Sequence, residues 1–401
     1  MQILLVNQTF HPDTSATSYY CTDVASKLAQ NGHKVTVLTA ARGYSSPYPR
    51  FPAKELYGGI TIRRVWPITF GRESRLGRLL DACCLNLAFA FRLFCLPRFD
   101  RVVALTSPPL IGWITSLWAA IKKVKFIYWI MDVNPDEAVQ VGWIKKDSLI
   151  SYALENTLKI TLRRSHRIVC LDSFMKDRIA RKAPREAHID IVPAWSLDND
   201  LQTLPHAANA FRTRHDLQDF FVVMYAGNHS ICHPLDTLLE AAWLLRDARQ
   251  IKFVFVGNGN RVSDVTQYKD KKNLFNIVQI PHHPRDKMKY CLSSADLHVV
   301  VMGDGYAGIV HPCKIYGILA IGRPFVYIGP EESHITQIMR DHKVGYEVRH
   351  GQAEELAETI KAAMRLGESE KESIMRSEKA AAQRFSQQIL CNQLADIITS
   401  E

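Results

Sequence analysis

Residues 297–328 read LHVVVMGDGYAGIVHPCKIYGILAIGRPFVYI. The apolar run Leu297–Val301 has the character of a buried strand, and a glycine-rich turn follows it. Ile315–Ala320 is helical, and Phe325–Ile328 is a second apolar run. A strand, a helix and a strand in this order form a right-handed unit whose two strands lie parallel in one sheet. This stretch therefore predicts an α/β fold.

The same alternation of strand and helix continues on both sides of this stretch. The other candidate strands are Ile3–Val6, Lys34–Leu38, Ile60–Val65, Val102–Leu105, Phe126–Trp129, Ile168–Leu171, His188–Val192, Phe220–Ala226 and Lys252–Val256. The other candidate helices are Ser18–Gln30, Leu76–Phe94, Leu110–Ile121, Leu149–Arg163, Leu235–Leu245, Arg285–Leu292 and most of the tail from Glu354 to Ser400. Such alternation predicts two Rossmann-like, doubly wound parallel-sheet domains that face each other across a cleft.

The alternation breaks once, in a polar, proline-bounded segment near residues 192–204. The chain of 401 residues is also longer than one ordinary core supports. We therefore expect an N-terminal domain at residues 1–200 and a C-terminal domain at residues 201–384. The helix near residues 385–401 is a candidate to pack back on the first domain.

The composition excludes several classes of protein. With 47% hydrophobic and 22% charged residues the chain is globular rather than disordered. Nine cysteines without a CxxC spacing indicate reduced thiols in a cytoplasmic protein. The N-terminus lacks the charged region of a secretion signal, and the apolar tracts Leu79–Leu96 and Leu110–Ala120 are interrupted or too short to cross a bilayer. We expect a soluble protein or one that rests on a membrane surface.

The loop after the first strand, NQTFHPDTSATSYY, leads into a helix. It is either a ligand-contacting loop or a simple turn in which an Asp or Ser side chain caps the helix. No glycine in it lets the backbone close on a phosphate. Its candidate ligand-contacting residues are Asp13, Thr14, Ser15 and Ala16.

A second loop of the first half, WIMDVNPDEAVQVGW, places Asp132 just past an apolar strand. A carboxylate at that position can face a cleft. Asp136 and Glu137 follow Pro135 and resemble the first-turn carboxylates that a helix dipole favours. We interpret those two as structural and Asp132 as the functional candidate.

Two glycine turns follow successive strands of the second half. Gly227 and Asn228 lie between a strand and a helix, and Gly257, Gly259 and Arg261 follow the next strand. Glycine lets the backbone approach an anion closely, and a helix N-terminus attracts one. Each turn alone is a weak signal, but their repetition on one sheet indicates a phosphate site.

The third turn is the glycine-rich one within residues 297–328. Pro312 suits the start of a helix, and Lys314 follows in the first turn, where the helix dipole disfavours a cation. A bound anion would reverse that preference. The turn therefore predicts a diphosphate between Lys314 and the backbone amides of Gly308, Ile309 and Val310. The alternative is a lysine that simply faces solvent.

Histidine and aspartate patterns do not predict a metal site. His229 and His233 lie in the turn after Gly227, where one of them is a candidate ligand contact. The Asp-Asn-Asp sequence Asp198–Asp200 lies in the polar linker, and His282 and His283 adjoin a proline in a predicted surface turn. We expect no metal ion at either place.

Together these strand ends resemble glycosyltransferase family 4, a group of retaining, sugar-nucleotide-dependent transferases with the GT-B fold. The matching stretches are FHPDTSAT, LAQNGHKVTVLTA, TSPPL, YWIMDVNPD, YAGNHS, PLDTLLEAA, FVGNG and HPCKIYGILAIGRPFVYIG, spread over nearly the whole chain. The most similar branch builds surface polysaccharides and O-antigens. The resemblance implies a nucleotide-sugar donor, most commonly a UDP-sugar, a glycan or lipid-linked acceptor, and no further cofactor.

The resemblance also implies roles for residues. The expected catalytic residues are Asp132, Arg261 and Lys314. The expected donor-binding residues are Gly227, Asn228, His229, Gly257, Gly259, Arg261, Gly308, Ile309, Val310, Lys314 and Glu332. Asp13, Thr14, Ser15 and Ala16 are expected to face the acceptor.

One departure from the family pattern concerns two glutamates, eight residues apart, in the third turn and its helix. Counting back from Gly-Arg-Pro, they should fall near Ile309 and at Gly317, and neither residue is acidic. Their contacts to the donor must come from backbone amides or from other side chains. Glu331 and Glu332, after the next strand, are the candidate substitutes.

The resemblance implies a retaining reaction in which the donor's anomeric C–O bond breaks as the diphosphate leaves, through an oxocarbenium-like state. Cations and amides placed beforehand stabilise the departing charge, and Arg261 and Lys314 are the candidate cations. No strong pair of nucleophile and base stands out. The pattern therefore fits a mechanism in which the leaving phosphate helps to deprotonate the acceptor and Asp132 orients it or acts as a modest base.

Other functions remain open at this point. The missing glutamates favour a catalytically inactive GT-B scaffold, and an epimerase of the same fold needs further carboxylates in the cleft. A phosphorylase would hold pyridoxal phosphate on a lysine. A nucleic-acid binder needs basic residues interleaved with stacking aromatics, and these are not seen.

The charge is concentrated in the first half. Residues 1–200 hold 27 basic and 17 acidic side chains, and residues 41–104 alone hold 11 and 4. Arg72, Arg75 and Arg78 precede the apolar stretch Leu79–Leu96, as in an anchor on anionic lipid. The alternative is an internal helix of the first sheet with a solvated basic edge. We expect a cytoplasmic protein, with the inner face of the cytoplasmic membrane as a candidate location.

Overall fold

The structure, a computed structural model, describes residues 1–43, 51–66, 75–197, 202–281 and 287–401. The side chains of residues 75, 76, 78 and 79 are outside this description. The chain divides into two compact units. The first unit consists of Met1–Ala194 and Gln388–Glu401, and the second unit consists of Trp195–Gln387.

The first unit is built on one sheet. Its strands are β1 (Gln2–Val6), β2 (Lys34–Ala40), β3 (Lys54–Tyr57), β4 (Ile60–Val65), β5 (Arg101–Ala104), β6 (Lys125–Trp129), β7 (Arg167–Cys170) and β8 (Ile189–Ile191). They form an eight-stranded sheet in the order β3-β4-β2-β1-β5-β6-β7-β8. β3 is antiparallel to β4, and the other neighbouring pairs are parallel. Val6 pairs with both Leu38 and Ala104, so the loops after β1, β2 and β5 lie at the same edge.

Helices connect these parallel strands. They are α1 (Ala16–Gln30), α2 (Arg75–Phe94), α3 (Ile111–Lys122), α4 (Asp136–Gln140), α5 (Leu149–Arg164) and α6 (Ser173–Ala180). α3 contacts both α2 and α5, so these three helices lie side by side. α2 buries Phe89 and Leu93 against its neighbours but leaves Leu87 and Phe91 exposed. One face of α2 is therefore buried in the first unit, as the internal-helix alternative predicts, and another face exposes apolar side chains.

The second unit repeats the same plan. Its strands are β9 (Phe221–Ala226), β10 (Ile251–Val256), β11 (Ile277–Ile280), β12 (Leu297–Val301), β13 (Phe325–Ile328) and β14 (Tyr346–Val348). They form a six-stranded sheet in the order β11-β10-β9-β12-β13-β14, in which every neighbouring pair is parallel. The carboxyl ends of β9, β10 and β12 are therefore adjacent.

The helices of the second unit flank this sheet. They are α7 (Ala210–Arg214), α8 (Asp236–Leu244), α9 (Val262–Lys272), α10 (Met288–Ser293), α11 (Lys314–Ile321), α12 (His334–His342), α13 (Ala353–Met364) and α14 (Glu368–Arg384). The last helix, α15 (Gln387–Thr399), returns to the first unit. Arg101 of β5 donates a hydrogen bond to the Ser400 carbonyl (3.2 Å), which fastens the end of the chain there.

The cores consist of the apolar strands and the helix faces that cover them. All five residues of β12 are buried, as are all four of β13. Strands buried on both faces read as continuous apolar runs, and this is why the sequence identified them. In the second unit Val299 and Val326 pack with Phe253 and Leu238 in one cluster.

The fold class predicted from the sequence is confirmed: each unit is an α/β fold with a mainly parallel sheet. The sequence missed β3, β11 and β14, which are short edge strands with polar residues. None of the nine cysteines, all of which are described, forms a disulfide. Among the described residues, no helix combines the length and the apolar character that crossing a bilayer requires.

Candidate active site

The glycine turns after β9 and β10 fit into each other. Gly227, Gly257 and Gly259 have φ angles of 138°, 136° and 146°, which favour glycine. A Cβ atom on Gly257 would lie 2.1 Å from the Gly227 carbonyl oxygen, and one on Gly259 would lie 2.5 Å from the Asn228 Oδ1 atom. The sequence predicts a phosphate site at these glycines, and the structure shows that the absence of a side chain at Gly257 and Gly259 lets the two turns approach closely.

Backbone hydrogen bonds fix the two turns further. The His229 amide donates to the Asn258 carbonyl (2.9 Å), and the Arg261 amide donates to the His229 carbonyl (2.9 Å). Tyr225, near the end of β9, donates its hydroxyl hydrogen to the Asn228 carbonyl (2.9 Å). The predicted residues 227–229 and 257–261 therefore form one rigid assembly.

Lys314, the first residue of α11, points into this assembly. Its Nζ atom lies 3.6 Å from the centroid of the Tyr225 ring and 3.2 Å from the position of a Cβ atom on Gly227. The stem is partly exposed, but Nζ is buried and has no hydrogen-bond partner among the described residues. Burial lowers the pKa of Lys314 to about 7. The alternative interpretation, in which Lys314 simply faces solvent, does not hold for this buried nitrogen.

Two histidines beside Lys314 are uncharged. Burial, and then the nearby Lys314 ammonium, lower the pKa of His229 to about 4. Burial is also the main cause that lowers the pKa of His233, with Lys314 and His229 next. The ring nitrogens of His233 are buried and lack hydrogen-bond partners among the described residues, whereas the backbone of Gly227 and Asn258 acts on the buried His229 ring and opposes the lowering of its pKa. The site thus contains a buried amine beside two buried histidines whose pKa values are lowered.

Arg261, a predicted donor-binding cation, already forms ion pairs with two carboxylates. It lies at the start of α9, and its Nε atom is 2.6 Å from the Asp264 carboxylate. A terminal nitrogen is 3.3 Å from the Asp236 carboxylate at the start of α8. These carboxylates raise the pKa of Arg261 against the opposing effect of burial. Much of its positive charge is therefore already balanced by two acidic residues that the sequence analysis did not single out.

The third turn differs from the prediction in its backbone. The amides of Ile309 and Val310 both donate to the Tyr306 carbonyl, at 2.9 and 3.2 Å. Because these two donors are used within the turn, they are not free for a diphosphate in this conformation. Gly308 has a φ of 68° and makes the turn possible. Lys314 and the first amides of α11 are therefore the groups near this turn that can still bind an anion.

The two positions of the absent family glutamates are Ile309 and Gly317. Ile309 is buried, and a Cβ atom on Gly317 would make an ordinary 3.4 Å contact with Leu292. Glu332, the candidate substitute, is exposed and pairs with Arg340 of α12 at 2.9 Å. Glu331 lies 3.8 Å from Arg349. These contacts direct both glutamates toward surface arginines.

In the first unit, the turn interpretation accounts for two of the four predicted acceptor-binding residues at the start of α1. Asp13 is buried, and its carboxylate accepts a hydrogen bond from the Ser15 amide (2.8 Å). Ser15 in turn caps α1 by accepting from the Ser18 amide (3.4 Å). Thr14 and Ala16 are exposed, so they are the members that remain open to a ligand.

The loop after β6 contains a pair of carboxyl groups, of which the sequence predicted one. Burial is the larger cause that raises the pKa of Asp132, and repulsion by Glu137 is the second. Burial also raises the pKa of Glu137, although Asn134 donates a hydrogen bond to it (3.5 Å). Asp136 instead pairs with Arg178 (2.9 Å) and with Lys182, which is a structural role. Sequence reasoning therefore missed Glu137.

Arg64 is a second residue that sequence reasoning missed. Its side chain on β4 is fully buried and lies 2.7 Å from the Glu55 carboxylate. It also donates to the carbonyls of His11 (2.7 Å) and Pro52 (3.0 Å). Arg64 therefore holds the loop that precedes α1. An arginine at an inward-facing position of an apolar strand was the available signal.

Some predicted features lie outside the described residues. They are the Asp-Asn-Asp sequence at residues 198–200, His282, His283 and Arg72; for Arg75 and Arg78 only the backbone, as the start of α2, is described.

Comparison with known proteins gives a consistent result for both units. Residues 15–195 match the Glycosyl transferase 4-like domain, and residues 221–365 match the Glycosyl transferases group 1 domain. The chain is 24% identical over 359 residues to WcaI of Escherichia coli (strain K12), which is named as a glycosyl transferase of colanic acid biosynthesis; the match covers 84% of this chain and 86% of that protein.

Solved structures of similar fold cover nearly the whole chain. Sucrose-phosphate synthase of Thermosynechococcus elongatus has a TM-score of 0.75 at 13% identity, covering 99% of this chain and 98% of that one. Alr3699/HepE of Anabaena, solved with UDP and glucose, has a TM-score of 0.72 at 16% identity and covers both chains completely, at 100%. At these identities the likeness establishes the fold, which is that of GT-B glycosyltransferases.

Proposed function

Because this chain belongs to glycosyltransferase family 4, we propose that it transfers a hexose from a nucleotide-sugar donor, a UDP-sugar, to a glycan or lipid-linked acceptor in the synthesis of a cell-surface polysaccharide. The relative WcaI is named for colanic acid biosynthesis, and HepE was solved with UDP and glucose. Both support the substrate classes of the proposal. The donor occupies the second unit, at the carboxyl ends of β9, β10 and β12.

One observation carries this assignment: the Lys314 nitrogen is buried without a hydrogen-bond partner among the described residues. An amine in that position is costly because burial disfavours its charged form. A diphosphate beside Nζ would supply the missing acceptor and the opposite charge at once. The closely packed turn at Gly227 and Gly257 lets phosphate oxygens approach backbone atoms, and the start of α11 favours the same charge.

The reaction follows from this placement. The bond between the anomeric carbon and the diphosphate oxygen breaks, and negative charge develops on the leaving phosphate. Lys314, protonated when the diphosphate is bound, stabilises that charge in a site from which water is excluded. The acceptor oxygen forms the new bond on the face that the phosphate leaves, so the configuration is retained. The acceptor proton goes to the leaving phosphate oxygen or to a nearby carboxylate.

Asp132 is the proposed carboxylate on the acceptor side. Its raised pKa makes it a better proton acceptor when ionised than an ordinary aspartate. Glu137 supports this role, because, after burial, its negative charge is the second cause that raises the pKa of Asp132. Thr14 and Ala16 are the exposed candidates for contacts with the acceptor.

A binding and turnover experiment tests the donor site. We expect UDP and UDP-glucose to raise the melting temperature of the wild type, since a ligand that binds only the folded state stabilises it. Lys314→Ala should abolish this shift and reduce transfer at least a hundredfold. Lys271→Ala removes an exposed lysine of the same unit and should leave both unchanged. Unchanged donor turnover in Lys314→Ala would overturn the site.

Arg261 is the second proposed donor cation, with a smaller effect expected. Its charge is already balanced by Asp236 and Asp264, so Arg261→Ala should weaken UDP binding less than Lys314→Ala does. Measuring UDP binding by Lys314→Ala, Arg261→Ala and the control Lys271→Ala shows which of the two cations contributes more to donor affinity. Equal loss in Arg261→Ala and Lys314→Ala would mean that the arginine leaves its carboxylates when the donor binds.

The proposal places the enzyme at the cytoplasmic face of a membrane, where a lipid-linked acceptor is presented. The excess of 27 basic over 17 acidic residues in residues 1–200 supports association with an anionic surface. Sedimentation with anionic vesicles tests this, and an enzyme that stays in solution at low salt would contradict it.

A further inference from the structure

The segment between α4 and the first turns of α5 exposes an unusual amount of apolar surface. Trp143 is 70% exposed, Leu149 89%, Ile150 63% and Tyr152 70%. These four large side chains lie within ten residues, whereas soluble monomers seldom expose contiguous apolar patches of this kind. We call this set, together with the exposed Lys145 and Lys146, the Trp143 surface.

The Trp143 surface is held in place by hydrogen bonds. The Trp143 amide donates to the Ala138 carbonyl (2.9 Å), which ties the turn back to α4. Ser148 caps α5 by accepting from the Ser151 amide (3.2 Å) and donates its own hydroxyl hydrogen to the Lys145 carbonyl (2.8 Å). These hydrogen bonds fix the backbone of the turn and of the start of α5.

The Trp143 surface belongs to the same connection as Asp132. The chain leaves β6 through Asp132, forms α4, turns at Gly142 and enters α5. Asp136 of α4 is fixed by Arg178 and Lys182, and Lys182 also pairs with Glu155 of α5 (2.9 Å). These ion pairs connect α4, which follows the loop of the proposed acceptor carboxylate, to α5, which carries part of the exposed surface.

The composition of the surface favours a lipid bilayer over a protein partner. Trp and Tyr side chains prefer the membrane interface because each has an apolar ring and a polar tip. Lys145 and Lys146 lie between the aromatics, and Asp147 is the only acidic residue in 143–152. An apolar patch edged by lysines matches a surface that is apolar beneath and anionic at the headgroups.

We propose that the Trp143 surface inserts into the headgroup region of an anionic membrane and brings the Asp132 loop to a membrane-embedded acceptor. This rests on the proposed transferase function for its purpose, but the contact itself is independent of it. The sequence-based candidate, the stretch Arg72–Leu96, is described only in part; within it, Leu87 and Phe91 of α2 are exposed apolar side chains. The two surfaces can therefore be separated by mutation.

Vesicle flotation tests the proposal. The probe is a vesicle of phosphatidylethanolamine and phosphatidylglycerol, and the main variant combines Trp143→Ser, Leu149→Ser and Ile150→Ser. We expect at least a tenfold lower vesicle partition for this variant. Phe275→Ser, at a side chain 87% exposed in the second unit, is the matched control and should partition as the wild type does. A tenfold loss in the control or none in the triple variant would overturn the proposal.

A charge variant and an α2 variant complete the test. Lys145→Glu with Lys146→Glu should lower partition to phosphatidylglycerol vesicles, with little effect on purely zwitterionic ones. Leu87→Ser with Phe91→Ser removes exposed apolar side chains of α2 and should have the smaller effect. Loss of binding in the α2 variant alone would assign the contact to α2, and a wild-type dimer that the triple variant converts to monomer would assign the surface to a second copy.

The UDP-induced rise in melting temperature is measured on every variant. It reports the donor site, which the Trp143 surface does not include. A retained UDP response with lost vesicle binding supports the membrane contact. A missing UDP response in the wild type, with vesicle binding intact, would contradict the proposed function and leave the membrane contact standing.

Discussion

The ammonium of Lys314 is held where the described residues offer it no hydrogen-bond acceptor. Its pKa is lowered from 10.5 to about 7 because burial disfavours the charged form. In the absence of a ligand, this lysine therefore destabilises the fold wherever it must be protonated. The same property lets a bound diphosphate gain more from it than from an exposed lysine.

Replacing this charge should stabilise the protein while removing its donor site. We expect Lys314→Met to raise the free energy of unfolding by about 2 kcal/mol at pH 6, less than the full pKa shift implies because the stem is partly exposed. The destabilisation by Lys314 is complete below pH 7 and disappears as the pH rises toward the unfolded pKa near 10.5. Urea unfolding at pH 6 and pH 9 should thus show a smaller gain at the higher pH.

Lys271→Met is the control, since Lys271 is exposed and should change the stability little. A Lys314→Met variant that is less stable than the wild type at pH 6 would mean that the amine is satisfied in the free protein.

UDP binding should depend on pH through the same group. Below pH 7 Lys314 is already protonated, so affinity is at its highest. Above pH 7 a proton must be taken up on binding, and the affinity should fall by up to tenfold per pH unit until the pKa of the complex is reached. Calorimetry in buffers of different ionisation enthalpy measures the uptake. Binding that is independent of pH between 6 and 9 would exclude Lys314 as the phosphate ligand.

Asp132 and Glu137 should share one acidic limb of the pH–rate profile. Glu137 raises the pKa of Asp132 by repulsion, so Glu137→Gln should lower it and move the limb to lower pH. Asp132→Asn should remove the limb and reduce the rate at least a hundredfold. Asp136→Asn is the control, because it breaks pairs with Arg178 and Lys182 and should cost stability without moving the limb. The initial rates of sugar transfer from pH 4 to 9 provide the measurement.

Some residues of the candidate site could be predicted from the sequence, and others could not. Lys314 could be selected as a candidate from the sequence because a lysine in the first turn of a helix conflicts with the dipole. Glu137 was not, because two adjacent first-turn carboxylates look the same until the fold sends Asp136 to Arg178 and leaves Glu137 beside Asp132. The sequence predicts that the amides of Ile309 and Val310 bind the diphosphate. In the structure both amides donate to the Tyr306 carbonyl, and the sequence does not reveal such hydrogen bonds within a turn.

The interlocked turns after β9 and β10 form the element on which the donor site is built. Gly257→Ala would place a methyl group 2.1 Å from the Gly227 carbonyl oxygen, at a φ of 136°. The loops must then separate, and we expect a loss of about 2–4 kcal/mol together with loss of UDP binding. Chemical unfolding and the UDP-induced melting shift measure the two effects.

Gly32→Ala is the matched control for backbone strain. Gly32 also has a positive φ, 84°, but a Cβ atom there meets nothing within 4 Å. We expect a loss of about 1 kcal/mol and normal UDP binding. Equal effects of the two substitutions would show that strain, rather than the contact between the turns, governs this element.

Elements were predictable where burial was strong. β12 and β13 consist wholly of buried residues. β13 is an uninterrupted apolar run, and only His298 breaks the run in β12; such runs beside a turn are typical of buried strands. β3, β11 and β14 were missed because edge strands keep polar residues, so they lack that run. α9 was missed for a similar reason, since Val265 is its only fully buried residue and its apolar period is weak.

For the whole molecule, the uneven charge and the Trp143 surface belong to the same unit. Residues 1–200 carry the excess of basic side chains, and the exposed aromatics between α4 and α5 lie within them. The charge pattern indicated a polyanionic partner and the stretch Arg72–Leu96 as its contact, but it did not indicate the Trp143 surface. The contact surface requires exposure, which depends on how α5 packs on α3 and therefore on the whole fold.

The two units should also respond differently to changes in α15. This helix follows the second unit in sequence but belongs to the first, where it buries Leu394 and Ile398. We expect Leu394→Ala to lower stability by about 3 kcal/mol, as for other buried leucines, and to leave the UDP-induced melting shift intact. Ile389→Ala, at a side chain 54% exposed, should change stability by less than about 1 kcal/mol. Loss of the UDP response in Leu394→Ala below its unfolding transition would mean that α15 also supports the donor unit.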